Sequence, residues 1–150
     1  MRAIIQRVKN AIVSINELES REIQHGYVVF IGIENADNED DINWLSKKII
    51  SLRLFDDEKG VMNKSIQEVH GNIMLISQFT LHAKTKKGNR PSYIHAAKAE
   101  VAIPIYQSFI AVLKSQLSGA LVCGEFGANM SVQLVNDGPV TIIIDTKNKE

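Results

Sequence analysis

The chain has 150 residues, of which 45% are hydrophobic and 23% are charged, so it can bury a core without disulfides or a structural metal. Seventeen basic residues balance seventeen acidic ones, which excludes a strong overall field for nucleic acid but leaves room for a local basic patch. The single cysteine, Cys123, excludes an internal disulfide and a cysteine-based metal cluster, and we expect it to be a small buried residue. One globular domain spanning residues 1–150 is expected.

The N-terminal part of the chain predicts strands. Residues 1–16, MRAIIQRVKNAIVSIN, and residues 27–34, YVVFIGIE, are rich in residues that favour strands, and residues 20–26 predict a strand and turn between them. Charged and polar residues interrupt the first segment too often for a signal peptide or a membrane span. A cytoplasmic location without membrane contact is therefore expected.

Residues 37–52 predict the first helix. An acidic first turn suits the helix dipole, and the apolar residues that follow share one helical face. These residues are Ile42, Leu45, Ile49 and Leu52.

A second helical segment is predicted from Ser92 to Leu117. Its apolar residues recur at four-residue spacing, which is typical of an amphipathic helix. They are Val101, Ile105, Phe109 and Leu113. Pro104 has no backbone N–H to donate, so we expect it to kink or restart this helix.

Residues 71–81, GNIMLISQFTL, predict a buried strand that ends in polar residues. Because side chains alternate along a strand, Gln78 and Thr80 would share one face, and Ser77 and Phe79 the other. Polar groups at the end of a buried strand need hydrogen-bond partners. Composition alone favours the simpler interpretation, in which the strand runs out into solvent.

A basic segment follows, HAKTKKGNRPS at residues 82–92. Its cations could meet phosphates, although an ordinary solvated loop accounts for them at least as well. They are Lys84, Lys86, Lys87 and Arg90.

Near the C-terminus, residues 130–135, MSVQLV, and residues 140–145, VTIIID, predict two strands around the sequence NDGP. Asn, Asp and Gly tolerate the positive φ of a tight turn. Pro139 is harder to place, because it removes a backbone donor where the second strand begins. Gly138 and Pro139 therefore indicate a shaped backbone with a role other than turning. Together the elements predict an α+β fold with a mostly antiparallel, barrel-like sheet and two main helices.

Familiar catalytic and cofactor motifs are missing from the sequence. The histidines lack the paired spacing of a metal site, and each is expected at the surface or at a strand end. They are His25, His70, His82 and His95. There is also no G-x-S-x-G elbow, P-loop or G-x-G-x-x-G, so neither a metal nor another cofactor is expected.

Four motifs, in this order, resemble those of the D-aminoacyl-tRNA deacylase family. They are SQFTL at 77–81, KGNRPSY at 87–93, GEFGANM at 124–130 and NDGPVT at 136–141. The opening MRAIIQRV also matches, so the resemblance runs essentially from end to end. One departure is AAKAE at 96–100, where relatives carry consecutive prolines. It alters a helix start and affects no site residue.

The resemblance implies hydrolysis of the ester bond of D-aminoacyl-tRNA to tRNA and a free D-amino acid, with glycyl-tRNA as a second substrate. It also implies a homodimer in which Gly138 and Pro139, joined by a cis bond, project into the active site of the partner subunit. A backbone carbonyl held there would grip the α-amino group, leaving room for hydrogen but not for an L side chain.

The facing wall of the site would come from Ser77, Gln78, Phe79 and Thr80, by the same resemblance. Backbone N–H groups near Phe79 and Thr80 would stabilise the oxyanion. Thr80 is the candidate nucleophile, but no base to activate it is visible. Attack by water, assisted by the 2′-hydroxyl of the terminal adenosine, is therefore favoured.

Two further residues have weaker assignments. Met130, with the GEFGANM segment, would line the adenosine pocket, and its alternative is core packing. Arg7 would brace the Gly-Pro segment, and its alternative is a surface charge on a strand.

Two other functions stay open at this point. A module that binds a tRNA end or other nucleic acid without turnover would account for the basic segment and for the missing general base. The presence of both the SQFT and the Gly-Pro motif favours the enzyme, because a binder has no need of both halves of a chiral pocket. An unrelated ester hydrolase is the weaker alternative.

Overall fold

The computed structural model describes residues 1–150 as eight strands and two α-helices, with one 3₁₀ turn at Phe79–His82. The predicted α+β class is confirmed. In chain order the elements are β1 (Arg2–Ile15), β2 (Glu19–Ile23), β3 (Gly26–Gly32), α1 (Glu39–Ser51), β4 (Phe55–Asp56), β5 (Met62–Lys64), β6 (Asn72–Ser77), α2 (Ala99–Gln116), β7 (Leu121–Cys123) and β8 (Met130–Asp145).

The long strand β1 organises the main sheet. It pairs antiparallel with β2 and β3, and it also pairs antiparallel with β8 along almost its whole length. β3 and β6 are parallel, as are β6 and β7, whereas β4 and β5 form a separate antiparallel pair. The mostly antiparallel sheet is nearly closed and barrel-like, as predicted.

The C-terminal segment is one strand and not the two strands predicted around NDGP. β8 pairs with β1 on both sides of this motif, where Val8 opposes Asn136 and Gln6 opposes Thr141. Residues 137–140 therefore oppose Arg7 alone and bulge out of the strand. The two-strand prediction is wrong because both halves of β8 share the same long partner strand. The Gly138–Pro139 peptide bond is cis, as the resemblance implied.

Helix α1 confirms its sequence pattern. Asn38 caps it, because its side-chain oxygen accepts hydrogen bonds from the N–H groups of Asp40 and Asp41. The predicted apolar face is directed at the core, and Leu52 packs partly buried beside it. The fully covered residues of this face are Ile42, Leu45 and Ile49.

Helix α2 begins at Ala99, seven residues later than predicted, and it continues through Pro104 without a restart. The preceding residues form a turn at Ile94 and His95 with an isolated bridge on each side, and Ala97 N–H donates to Ile33 O at 2.9 Å. Strict four-residue spacing drifts by about 40° per step around a helix, so the predicted face was only half right. Val101 is exposed, and the buried face is Ala102, Tyr106, Phe109 and Leu113.

The sheet separates two apolar cores. The larger cluster has 19 buried residues and lies between the sheet and the two helices, and the smaller has 8 and lies on the other face. β3 supplies both, because its side chains alternate, with Val29 in the larger cluster and Val28 in the smaller. Neither helix has the length and apolar character that a membrane crossing requires.

The buried carboxylate of Asp41, paired with the exposed Lys147 at the start of α1, predicts acid sensitivity. Burial opposes ionisation of Asp41, but hydrogen bonds from Lys147, Thr146 and the Asn38 backbone outweigh it and lower the pKa from 3.8 to about 2. Stability from this group is present above the unfolded pKa and is lost as the pH falls through the folded pKa. Asp41→Asn should therefore cost about 2 kcal/mol at neutral pH, and the cost should vanish between about pH 4 and 2.

Urea unfolding of the wild type and Asp41→Asn across that pH range measures the difference. Asp40→Asn is the matched control, since Asp40 is exposed on the same helical turn and its carboxylate has no partner. A constant difference down to pH 2 would contradict the assignment.

Candidate active site

A half-open pocket of about 320 Å³ lies at the end of β6. One wall comes from Ile31 and Ile33 at the end of β3 and from the residues that follow β6. The opposite wall comes from the segment between β7 and β8. The lining is mostly apolar and consists of Ile31, Ile33, Ile76, Ser77, Gln78, Phe79, Ala97, Ala102, Phe126, Gly127, Ala128, Asn129, Met130 and Val132.

The polar edge of the pocket forms because β6 ends at Ser77. Gln78 N–H still donates to Ile31 O at 2.7 Å, and the chain then tightens into the 3₁₀ turn. The predicted strand to Leu81 is therefore too long, and Gln78 and Thr80 do not share a strand face. Instead the Gln78 side-chain amide donates to Thr80 Oγ1 at 2.5 Å, so these two polar groups satisfy each other.

Two backbone donors are available at the same corner. The first N–H groups of a 3₁₀ turn have no acceptor within that turn. The N–H groups of Phe79 and Thr80 also donate no hydrogen bond to the backbone of a loop or a neighbouring segment. The turn can thus offer both groups to an oxygen atom of a ligand.

The opposite wall is held by contacts at both of its ends. Gly124 N–H donates to Leu75 O at 2.9 Å, and Asn129 O accepts from Asn16 N–H at 2.8 Å. Gly124 and the Met130 side chain are closely packed, because a Cβ at Gly124 would lie 2.5 Å from the sulfur of Met130. Met130 also lines the pocket.

No residue that lines the pocket is an acid, a base or a thiol. Two nearby groups that could ionise are held neutral, since burial raises the pKa of Cys123 and burial also raises the pKa of Tyr106. Cys123 is half-buried, so its predicted role as a small packing residue fits, although its burial is incomplete. The polar side chains that the pocket offers are Ser77, Gln78 and Asn129.

Arg7 is almost fully buried beneath the bulge of β8 and is not a surface charge. Its guanidinium donates to Leu54 O at 2.6 Å and contacts a carboxylate oxygen of Asp56 at 3.3 Å. It also contacts a carboxylate oxygen of Asp137 at 3.2 Å, next to Gly138. The arginine therefore ties the bulge to the β4 region.

The structure brings Ser77, Gln78, Phe79 and Met130 together around one pocket, with Thr80 directly beside it. Gly138 and Pro139 do not line the pocket of their own chain, and both are exposed. Arg7 lies with the bulge and not with the pocket.

Some pocket residues had no distinguishing signal in the sequence. Ile31, Ile33 and Ala102 have the same pattern as ordinary core residues, and Ala97 lies in a segment predicted as helix. His82 contradicts the expected surface or strand-end position, because it is 2% exposed and its ring packs behind Gly32. Its Nε2 has no partner in the protein.

The fold and the pocket define a class of small α+β protein whose pocket can enclose an apolar group of a ligand. One short edge of this pocket is polar and offers backbone N–H groups that have no acceptor. The family model described as D-Tyr-tRNA(Tyr) deacylase matches residues 4–145. A D-aminoacyl-tRNA deacylase of Bacteroides fragilis (strain YCH46) is 60% identical over 150 residues, which is 100% of both chains.

Solved structures similar to nearly the whole chain include the following two. One, named "c-Myc DNA Unwinding Element Binding Protein", has a TM-score of 0.90 and 37% identity, and covers 97% of this chain and 99% of its own. Another, described as "a probable eukaryotic D-amino acid tRNA deacylase", has a TM-score of 0.81 over 95% of this chain and 97% of its own, but at 15% identity it supports the fold alone. The chain belongs to the D-Tyr-tRNA(Tyr) deacylase family, which the sequence motifs predicted.

Proposed function

We propose that the protein hydrolyses the ester bond between a D-amino acid and the 3′-terminal adenosine of tRNA. The observation that carries this proposal is the meeting of Ser77, Gln78 and Phe79 with Met130 around one pocket beside free backbone N–H groups. Its volume of about 320 Å³ falls in the range of small-ligand sites. The family match and the full-length relative at 60% identity support the same activity.

In this proposal the protein accelerates hydrolysis mainly by holding the ester in the reactive position. The N–H groups of Phe79 and Thr80 point at the carbonyl oxygen and stabilise the negative charge that develops on it. Because no base lines the pocket, water attacks with help from the 2′-hydroxyl of the adenosine, and the protein holds the ester in place. Met130 and its loop pack against the adenosine.

Chirality is selected by the partner subunit in this proposal. Gly138 and Pro139 are exposed on a bulge of β8, away from the pocket of their own chain, and Arg7 fixes the base of that bulge. In a symmetric homodimer the bulge enters the partner's pocket, where its backbone excludes an L side chain. Glycine has no side chain to exclude, so glycyl-tRNA is hydrolysed as well.

Release of free tyrosine from D-tyrosyl-tRNA, run beside L-tyrosyl-tRNA, tests the proposed activity. We expect rapid release from the D ester and release at the uncatalysed rate from the L ester. No catalysed release from either ester would overturn the enzymatic proposal, and equal release from both would overturn the chirality filter.

Replacing Thr80 separates positioning from nucleophilic attack. Thr80→Ala removes one hydrogen bond with the Gln78 side chain but keeps both backbone donors. Loss of one neutral hydrogen bond is worth about 1 kcal/mol, so the single-turnover rate should fall by no more than about tenfold. Thr80→Ser, which keeps the hydroxyl, is the matched control. An inactive Thr80→Ala beside an active Thr80→Ser would make Thr80 the nucleophile.

A binder of nucleic acid without turnover is the second candidate. It is favoured by the name of the structural neighbour at 37% identity, which refers to binding a DNA element, and by the exposed basic loop. Tight binding of tRNA together with no ester hydrolysis under single-turnover conditions would select this candidate.

A further inference from the structure

The segment after the 3₁₀ turn carries an isolated positive charge. No acidic residue occurs between Glu68 and Glu100, although the whole chain is electrically balanced. All four cations of residues 84–90 are exposed, and none forms an ion pair within the chain. Unpaired cations on a short loop form a local site for phosphate groups, because their charge is not neutralised by neighbours.

The loop is held at a fixed base. Lys84 and Ser92 exchange two backbone hydrogen bonds, with Lys84 N–H donating to Ser92 O at 2.8 Å and Ser92 N–H donating to Lys84 O at 3.0 Å. Gly88 has φ +71 within the loop, a backbone conformation that favours glycine. The cations are therefore presented together beside this small bridge.

Exposed aromatic rings connect the base of the loop to the pocket. Tyr93 follows the bridge residue Ser92, and its ring meets the ring of Phe79 edge to face at a centroid distance of 5.1 Å. Phe79 is 55% exposed and Tyr93 is 38% exposed, so both keep open surface. Phe79 also lines the pocket, and the aromatic pair therefore begins at its rim.

We propose that residues 84–93 form the surface that binds the single-stranded 3′ end of tRNA outside the pocket. Unpaired bases stack on the aromatic pair and the adjoining phosphates contact the basic loop. This combination of an aromatic platform with free cations is the usual way in which proteins hold single-stranded RNA without reading its sequence. The assignment rests on the proposed function, because it places the strand that leads to the terminal adenosine.

The test measures kcat/KM of each variant on two substrates, D-tyrosyl-tRNA and the D-tyrosyl ester of adenosine. The small ester has no nucleotides outside the pocket, so the ratio of the two kcat/KM values isolates the proposed surface. For Lys86→Glu/Lys87→Glu this ratio should fall at least tenfold. The slope of log kcat/KM against log salt for the tRNA substrate should also become shallower by about 1.4, the value for two phosphate contacts to a single strand.

Matched controls separate charge and stacking from general effects. Lys47→Glu/Lys59→Glu makes the same charge change at exposed sites on α1 and after β4, and should keep the wild-type ratio. Tyr93→Ala should lower the ratio about fivefold or more, and Tyr93→Phe should restore it, because a phenyl ring also stacks on bases.

A direct measurement of RNA binding tests the proposed surface separately from the proposed activity. A labelled acceptor-stem hairpin with a single-stranded CCA end should bind the wild type and should bind Lys86→Glu/Lys87→Glu at least tenfold more weakly. If both esters are hydrolysed but neither the ratio nor hairpin binding changes, the proposed surface is wrong and the activity stands. If the hairpin binds through the loop but neither ester is hydrolysed, the surface stands and the activity is wrong.

Discussion

Ala128→Phe should abolish hydrolysis of D-aminoacyl-tRNA. Ala128 lies in the loop between β7 and β8, and it lines the same pocket as Ser77 and Gln78. In the proposed site a benzyl group there would take up space that the adenosine or the aminoacyl group needs. Because misplacing a reacting ester by about 1 Å costs on the order of 100-fold, we expect a loss of at least that size in kcat/KM.

Ala128→Ser is the control, since it adds one polar atom and leaves the pocket open. Circular dichroism and thermal unfolding establish that both variants are folded. Residue 128 is half-buried in a loop outside the strands and packs against the smaller cluster, so thermal unfolding separates any loss of stability from the loss of activity. A folded Ala128→Phe enzyme working at the wild-type rate would show that the ester binds elsewhere.

Gly138→Ala should remove most of the activity by a different route. A Cβ at this position would lie 2.8 Å from Val140 Cγ2 and 3.0 Å from Val140 N, and the backbone has φ +119. An L side chain is strained there, so the bulge of residues 137–140 has to move. If the bulge positions the amino acid in the partner's pocket, kcat/KM should fall by roughly 100-fold.

Gly60→Ala is the matched control for Gly138→Ala. Gly60 also has a positive φ, +73, but an added Cβ meets nothing within 4 Å. Both changes carry a backbone cost of about 1–2 kcal/mol in stability, and only the change at 138 touches the bulge. If Gly138→Ala is folded and fully active, the bulge does not contribute to the active site.

Local sequence patterns predicted those elements whose stability depends on their own residues. Helix α1 was predicted correctly because its acidic first turn and apolar face are contained in one segment, and the Asn38 cap lies in the same segment. The strands β1 and β3 were equally clear, since they are rich in β-branched residues with short turns between them. Where local signals agree with the final packing, the sequence alone is sufficient.

Long-range pairing caused the main errors. NDGP has the composition of a hairpin turn, but β1 continues past it on the neighbouring strand and converts the motif into a bulge. Similarly, residues 92–98 have no local signal against helix, and their non-helical conformation is held by contacts with Lys84 and the end of β3. Neither partner could be identified from periodicity.

The candidate site was predicted largely through its motifs. Ser77, Gln78, Phe79 and Met130 do meet at one pocket, but the 3₁₀ turn that shapes its edge had no recognisable signal. Ile31 and Ile33 line the pocket while looking like core residues, because apolar pocket walls and apolar cores have the same composition. His82 was misplaced for the related reason that nothing in its neighbourhood marks it as buried.

The most direct test of the composite site is a mixed dimer, isolated with two different affinity tags, that carries Ala128→Phe in one subunit and Gly138→Ala in the other. Each parent homodimer should be nearly inactive. In the mixed dimer one site combines an open pocket with an intact bulge, so about half of the wild-type rate on D-tyrosyl-tRNA should return. A mixed dimer as inactive as its parents, or a fully active wild-type monomer in sedimentation, would contradict a site built from two subunits.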